Sequence, residues 1–285
     1  MTVRFGPAGN SDSFYAAGHK ATLEAPGWLA RMGLGLYEYQ CGRGVRVTEE
    51  TARALGREAA VQGVELSLHA PYYISLASAE EEKRAKSLVY IRDSAQAIAW
   101  MGGSRIVVHP GGLCGLSREE ATALACETLR RAQALLDEEG LSHVHICPET
   151  MGKINQLGDF GEVMTMCEVD ERFIPCIDFG HLNARTLGQV NNRAAFAALL
   201  DEMENRLGQE RGRAFHAHFS KIEYSKGGEK CHLTFADACF GPEPGPLMEL
   251  LAERGAGASV ICESCGTQAE DAAAMQALYK QALAR

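Results

Sequence analysis

Residues 105–140 read RIVVHPGGLCGLSREEATALACETLRRAQALLDEEG, and this stretch contains the unit that recurs along the chain. A β-branched run ends at His109, and a Pro-Gly-Gly turn follows it. Ser117 and Glu120 have the spacing of a capping box at the start of a helix, and Gly140 stands where a C-terminal glycine is common. The stretch therefore predicts a strand, a polar loop and an amphipathic helix.

The same alternation extends in both directions from this stretch. Short apolar runs predict eight strands, at residues 3–5, 34–39, 65–69, 105–109, 143–147, 173–178, 214–219 and 259–263. Helical patterns lie between them at 48–62, 80–101, 117–139, 161–167, 194–207, 246–253 and 268–283. Strict alternation implies parallel strands with helical crossovers. Because no linker or change in composition interrupts the repeats, we predict one α/β domain over residues 1–285, a (β/α)8 TIM barrel. A doubly wound open sheet is the alternative.

Composition restricts the class of protein. The 285 residues are 46% hydrophobic and 23% charged, which is typical of a folded globular chain and argues against disorder or a coiled coil. No apolar run approaches the ~20 residues of a membrane helix, and the N-terminus lacks the apolar core of a secretory signal. Ten scattered cysteines without paired spacing favour a reduced, cytoplasmic protein. The net charge of −9 counts against a protein that coats nucleic acid, although bound metal ions would change that balance.

Polar residues end six of the predicted strands. These residues are His69, His109, Glu149, Asp178, His218 and Glu263, and His181 follows Asp178 by three positions. In a barrel, the C-terminal strand ends form one face. Clustered carboxylates repel one another unless a cation offsets them, and mixed imidazole and carboxylate ligands indicate Zn, Mn or Fe. We therefore predict a metal site for more than one ion. His216 shares a strand face with His218, but His218 is preferred because it lies at the strand end.

These residues also carry a resemblance to a known family. The motifs, in order, are HAPYYISL (69–76), HPG (109–111), PETMG (148–152), CIDFGH (176–181), AHFSK (217–221) and ICE (261–263). Together they resemble the endonuclease IV family of abasic-site endonucleases. The resemblance implies a TIM barrel with three zinc ions, and it implies that Tyr72 stands where the family inserts side chains into DNA.

The resemblance also implies a ligand set. His69, His109 and Glu149 would hold one ion, and bridging Glu149 would hold the second together with Asp178, His218 and Glu263. His181 and a downstream Asp-x-His pair would hold the third. In this chain His232 matches the histidine, but the residue two before it is Lys230. Either Glu229 or Cys231 substitutes for the aspartate, or the chain has a two-metal site.

The resemblance implies a zinc-dependent hydrolase, with Mn2+ also possible, that cleaves the phosphodiester at abasic sites in duplex DNA during base-excision repair. Glu149, Asp178 and Glu263 are its predicted catalytic residues. Lys153, Arg185, Lys221, Lys226 and Lys230 follow strands and are expected on the catalytic rim. We expect a monomer that uses neither a membrane nor a protein partner.

The sequence is also compatible with two other classes of function. Sugar isomerases and epimerases that resemble xylose isomerase hold one Mn-like ion with Glu, Asp, His and Glu, and Glu149, Asp178, His218 and Glu263 would satisfy that pattern. The additional histidines His69, His109, His181 and His232 favour the endonuclease, because a mononuclear centre needs few of them. The remaining class is a non-catalytic binder of metal or nucleic acid.

Overall fold

Eight parallel strands form a barrel in the computed structural model, which describes residues 2–285. The barrel strands are β1 (Arg4–Pro7), β2 (Leu36–Gln40), β3 (Glu65–His69), β4 (Arg105–Val108), β5 (His145–Pro148), β6 (Cys176–Asp178), β7 (His216–Phe219) and β10 (Ser259–Cys262). Two further strands, β8 (Ile222–Ser225) and β9 (Gly228–His232), form an antiparallel hairpin directly after β7. The predicted α/β barrel is confirmed, and each of the eight predicted strands overlaps a barrel strand.

The seven predicted helices are present with small changes at their ends. They are α3 (Glu49–Gln62), α4 (Glu81–Trp100), α5 (Arg118–Glu138), α6 (Phe160–Cys167), α8 (Arg193–Leu207), α10 (Gly245–Glu253) and α11 (Gln268–Leu283). Shorter helices that the sequence did not predict are α1 (Asp12–Ala16), α2 (Ala25–Arg31), α7 (Phe179–Arg185), α9 (Gln209–Arg213) and a 3-10 turn at Thr22–Glu24. A helix of five to seven residues is too short to develop a clear apolar period. Across residues 2–285, no helix combines the length and the apolar character needed to cross a membrane.

Local sequence signals set one end of each of three helices, α3, α5 and α6. The Ser117 hydroxyl accepts a hydrogen bond from the Glu120 amide at 3.2 Å, and the Glu120 carboxylate accepts one from the Ser117 amide, so the predicted capping box is present. Asp159 and Glu162 cap α6 in the same way. Gly63 ends α3 in the left-handed conformation, with φ of 69°.

The barrel is made of two four-stranded halves. One half pairs its strands in the order β1, β10, β7, β6, and the other in the order β2, β3, β4, β5. Single parallel bridges join them, Ala8 to Glu38 on one side and Glu149 to Cys176 on the other. At the first junction a Cβ on Gly6 would lie 1.7 Å from the Leu36 carbonyl oxygen, so β1 can approach β2 only because residue 6 is glycine.

The barrel surrounds a polar interior at its C-terminal half, whereas the apolar core lies between strands and helices. Phe179, for example, packs edge-on against Phe196 with ring centroids 5.3 Å apart, and both are fully buried. In contrast, the side chains of Glu38, Ser67 and His216 are buried inside the barrel. Buried charged and polar groups of this kind need partners, and those partners lead to the site.

Candidate metal centre

The strand-end residues predicted from sequence converge on Glu149, which is fully buried just after β5. Its Oε2 lies 3.3 Å from His69 Nε2 and 2.8 Å from His109 Nε2. Its Oε1 lies 3.0 Å from His218 Nδ1. The two oxygens of one carboxylate therefore face two different sets of histidines, which is the geometry of a bridging ligand.

The second set completes a four-residue group. Glu149, Asp178, His218 and Glu263 each offer an atom within 4.8 Å of the others. His218 Nδ1 lies 3.4 Å from Glu263 Oε2. Asp178 ends β6 and caps α7, where it accepts a hydrogen bond of 2.7 Å from the His181 amide. This cap explains the Asp-x-x-His spacing, because it places His181 in the first turn of the helix beside the site.

A third group forms between α7 and the β8–β9 hairpin. His181 Nε2 lies 3.5 Å from Glu229 Oε2, and the His181 and His232 ring centroids are 5.5 Å apart. His181, His232 and Glu263 also offer ligand atoms within 4.8 Å of one another. The Nδ1 atoms of His181 and His232 are occupied by the Thr150 carbonyl at 2.9 Å and the Ser220 hydroxyl at 2.8 Å. Each ring therefore has its Nε2 left for a further ligand.

A β-bulge decides which residue of the hairpin accompanies His232. Glu223 pairs with Cys231 and Tyr224 pairs with Glu229, so Lys230 is an extra residue without a partner across the hairpin. The bulge puts Glu229, three residues before His232, on the same face as His232. The side chain of Lys230 forms an ion pair with the Glu223 carboxylate instead, and Cys231 Sγ lies 3.7 Å from Glu223 Oε2. Of the two substitutes left open by the sequence, the structure places Glu229 and not Cys231 beside His181.

Gly152 permits this close approach. A Cβ at residue 152 would lie 2.7 Å from Glu229 Cβ and 3.0 Å from His181 Cδ2. Any larger side chain would push the hairpin away from α7.

Two buried carboxylate oxygens of this site have no hydrogen-bond partner, which indicates that its residues suit a divalent cation. Glu149 Oε2 and Asp178 Oδ2 are buried without a hydrogen-bond partner, and the nearby imidazole nitrogens face Glu149 Oε2 outside hydrogen-bond geometry. A buried carboxylate oxygen without a partner carries a large desolvation cost. Cations placed between these oxygens and nitrogens would remove that cost, and the donor set of imidazoles and carboxylates is suitable for them.

The pKa values of the cluster are strongly perturbed. Burial would raise the pKa of Glu149, but the charges of His218 and His109 hold it well below its ordinary value. Burial raises the pKa of Asp178 to about 6, against the opposing charge of His181. Burial would lower the pKa of His181, but the Asp178 carboxylate raises it to about 9. At neutral pH a proton therefore occupies the His181 nitrogen that a metal ion would use, and metal binding must displace it.

Glu38 is a buried carboxylate of this centre that the sequence did not single out. It lies in the middle of β2, is fully buried and contacts both His216 and His218. Burial would raise its pKa, but the charge of His218 and the hydrogen bond from His216 hold the pKa well below the ordinary value. His216 faces Glu38 below the site, so the structure places His218, and not His216, at the rim.

The mouth of the site is a cavity of about 380 Å3 that contains both polar and aromatic groups. Tyr72 is half exposed there, with its ring centroid 5.3 Å from that of His69 and 5.2 Å from that of His109. Beside it, the loop after β2 lines a groove of about 670 Å3 and contributes Arg43 and Arg46. Both arginines are exposed and form no ion pair with any residue of the described chain. Their position explains how an acidic protein can offer positive charge locally.

Two of the cations expected on the rim have structural roles instead. Lys221 is buried, and its Nζ donates to the carbonyls of Phe235 and Asp237 and pairs with Glu243. Arg185 donates to backbone carbonyls of the loop at residues 151–156. Lys153 does line the mouth. The segment after β9 supplies these partners of Lys221, which the motif AHFSK does not reveal.

Fold and site together define a (β/α)8 barrel protein whose C-terminal face gathers histidines and carboxylates into a candidate divalent-metal centre. The family model described as xylose isomerase-like TIM barrel matches residues 26–282. The chain belongs to this family, and the resemblance to endonuclease IV noted in the sequence is confirmed by relatives of that name.

Among curated relatives, an uncharacterised protein of Methanocaldococcus jannaschii is 34% identical over 236 residues, which are 83% of this chain and 84% of that protein. A probable endonuclease 4 of Acholeplasma laidlawii is 30% identical over 159 residues, which are 54% of this chain and 53% of that protein. This chain thus aligns with about half the length of that endonuclease.

Solved structures share the barrel. Endonuclease IV from Thermus thermophilus has a TM-score of 0.62 at 19% identity, over 99% of this chain and 98% of that one. A D-tagatose 3-epimerase-like protein has a TM-score of 0.66 at 20% identity, over 88% of this chain and 89% of that one. At these identities the likeness shows the fold alone.

Proposed function

We propose that this protein is a metal-dependent endonuclease, with zinc as its metal, that hydrolyses the phosphodiester at abasic sites in duplex DNA. One observation carries the proposal. Three overlapping ligand groups share the rim, and Glu149 faces two of them with separate oxygens. A mononuclear centre has no use for His69, His109, His181 and His232 in addition to its own four ligands.

The chain's own residues would divide the work as follows. Glu149, Asp178 and Glu263 would hold the ions and orient the attacking water, and they are the proposed catalytic residues. The histidines at 69, 109, 181, 218 and 232 would complete the ligand set, together with Glu229. The bound ions would supply Lewis-acid activation of water and neutralise charge on the phosphoryl group.

Substrate binding is proposed to use the groove beside the ions. Arg43 and Arg46 border that groove without carboxylate partners, so they are free to contact phosphates. An abasic nucleotide is easily extruded because it has lost most of its stacking. Tyr72, half exposed above His69 and His109, is placed to fill the space that remains.

The competing proposal is a sugar epimerase or isomerase with one ion. The group formed by Glu149, Asp178, His218 and Glu263 has the required composition. A solved neighbour described as D-tagatose 3-epimerase-like shares the barrel. Metal stoichiometry and substrate separate the two proposals.

The test combines both measurements on protein purified without chelators. We expect two or three zinc ions per chain, and nicking of a duplex oligonucleotide that carries one abasic site but not of the undamaged duplex. His69→Ala and Glu149→Ala should abolish nicking. The matched control is His143→Ala, an exposed histidine on the loop before β5, which should retain it. One Mn-like ion per chain together with epimerisation of a ketohexose would overturn the endonuclease proposal, as would full nicking by Glu149→Ala.

A further inference from the structure

Glu38 has contacts that a purely structural carboxylate would not need. Its Oε2 accepts hydrogen bonds from the Ser67 hydroxyl and from His216 Nε2, each at 3.0 Å. Its Oε1 lies 3.0 Å from His218 Nε2 and accepts a hydrogen bond of 3.3 Å from Gln40. Glu38 belongs to none of the ligand groups found among residues 2–285. It contacts His218 Nε2, whereas Glu149 and Glu263 face Nδ1 of the same ring, so Glu38 lies behind the metal centre.

Two of the other proposed histidine ligands, His69 and His181, have an orientation that a backbone carbonyl fixes. The Nδ1 atoms of His69 and His181 are each 2.9 Å from a backbone carbonyl oxygen, that of Ala70 or Thr150. A carbonyl can only accept, so the Nδ1 of each ring carries the proton and its Nε2 faces the site.

His218 is oriented the opposite way round. Its Nδ1 faces the site, 3.0 Å from Glu149 Oε1 and 3.4 Å from Glu263 Oε2. Its Nε2 faces the barrel interior, 3.0 Å from Glu38 Oε1, and this contact lies outside hydrogen-bond geometry. No backbone carbonyl in the described chain accepts a hydrogen bond from this nitrogen, because β7 places this ring inside the barrel and away from the strand's own hydrogen bonds.

We infer that Glu38 is a positioning residue for the metal centre: it holds the proton of His218 on Nε2 and thereby leaves Nδ1 free to bind an ion. This inference rests on the metal centre of the proposed function, but not on the DNA substrate. His216 and Ser67 fix the other oxygen of Glu38, so the carboxylate cannot rotate away from His218. Metal-bound histidines commonly donate their second nitrogen to a carboxylate, and loss of that partner costs about 10–100-fold in metal affinity.

The test uses Glu38→Gln, which keeps the size of the side chain, with Glu65→Gln as the matched control because it makes the same change at an exposed glutamate that pairs with Arg4. Zinc affinity is measured by competition with a chromophoric chelator, and far-UV circular dichroism of the metal-free proteins checks the fold. We expect one ion to bind about 10–100-fold more weakly in Glu38→Gln. Glu65→Gln should stay within about threefold of the native protein, because Glu65 is exposed and pairs with Arg4, not with a residue of the centre. Native affinity for every ion in a folded Glu38→Gln protein would overturn the inference.

A second measurement does not depend on the variant folding. In native protein loaded with zinc and labelled with 15N-histidine, long-range 15N–1H spectra identify which nitrogen of His218 carries the proton. We expect Nε2–H, and Nδ1–H would refute the inference directly. A protein that binds its ions as expected but nicks no abasic DNA would refute the endonuclease proposal and leave the role of Glu38 standing.

Discussion

Replacing Glu229 by alanine tests whether the β-bulge supplies the missing ligand of the third group. The Glu229 carboxylate lies 3.5 Å from His181 Nε2, and its side chain is 16% exposed. Without it, an ion between His181 and His232 keeps these two imidazoles and Glu263 but loses the carboxylate of the hairpin. Mutation of a residue that only supports a metal ligand already lowers metal affinity by about 10–100-fold. Loss of a ligand itself should therefore lower the affinity for this ion by more than about 100-fold, or about 2.7 kcal/mol.

The assay is equilibrium dialysis at a free zinc concentration fixed by a chelator buffer, followed by elemental analysis. At about ten times the dissociation constant of the native third site, Glu229→Ala should hold one ion fewer than the native protein. The other ions should be retained, because Glu229 contacts neither Glu149 nor His69.

The controls come from the same strand. Lys230→Ala and Cys231→Ser alter side chains that contact Glu223 and not His181, so both variants should bind the native number of ions. Full occupancy in Glu229→Ala would refute the assignment. If Lys230→Ala or Cys231→Ser lost an ion and Glu229→Ala did not, the register of the hairpin would be refuted. The side chain that faces the site would then be Lys230 or Cys231 and not Glu229.

Three further outcomes are expected. Chelation should lower the melting temperature in calorimetry, because an ion present at 100 times its dissociation constant contributes about 2.7 kcal/mol to the folded state; an unchanged melting temperature would contradict a metal centre at Glu149. Gly6→Ala should lower the free energy of unfolding by about 3 kcal/mol or more, measured in urea, because its Cβ would meet the Leu36 carbonyl at 1.7 Å; near-native stability would show that β1 and β2 do not need this contact. Zinc affinity should fall as the pH is lowered from 9 to 7, by up to about tenfold per unit for each proton displaced, because the pKa of His181 is raised to about 9 by Asp178 against the effect of burial; pH-independent competition titrations would contradict this.

The barrel and most of the centre could be predicted because both depend on strand ends. A run such as Ile106-Val107-Val108 marks a buried parallel strand, and parallel strands in a barrel share one carboxyl face. His109, at the end of that run, must therefore lie near Glu149, which follows the next strand. For these strand-end residues, proximity between positions far apart in the chain follows from the barrel topology.

Glu38 could not be predicted in this way. It occupies the middle of β2, in Tyr37-Glu38-Tyr39, where alternation with aromatic residues is typical of a half-exposed strand. Its burial depends on His216, which is 178 positions away, and no local pattern contains that information.

The choice between Glu229 and Cys231 was also beyond the sequence. A strand without a bulge would put Lys230 on the face of His232, since residues two apart share a side of a strand. The one-residue shift opposite Glu223 and Tyr224 puts Glu229 on that face in place of Lys230. Such a shift depends on pairing across the hairpin, which the local sequence does not show.

The two half-barrels have a consequence for how the protein responds to its ions. His69, His109 and Glu149 belong to or follow strands of one half, whereas Asp178, His218 and Glu263 belong to or follow strands of the other. Within each half, neighbouring strands pair along their length, whereas isolated bridges at Ala8–Glu38 and Glu149–Cys176 join the two halves. Ions held by residues from both halves would thus cross-link the two halves at the carboxyl face of the barrel. Removal of the ions would then loosen the contact between the two halves as well as empty the metal centre.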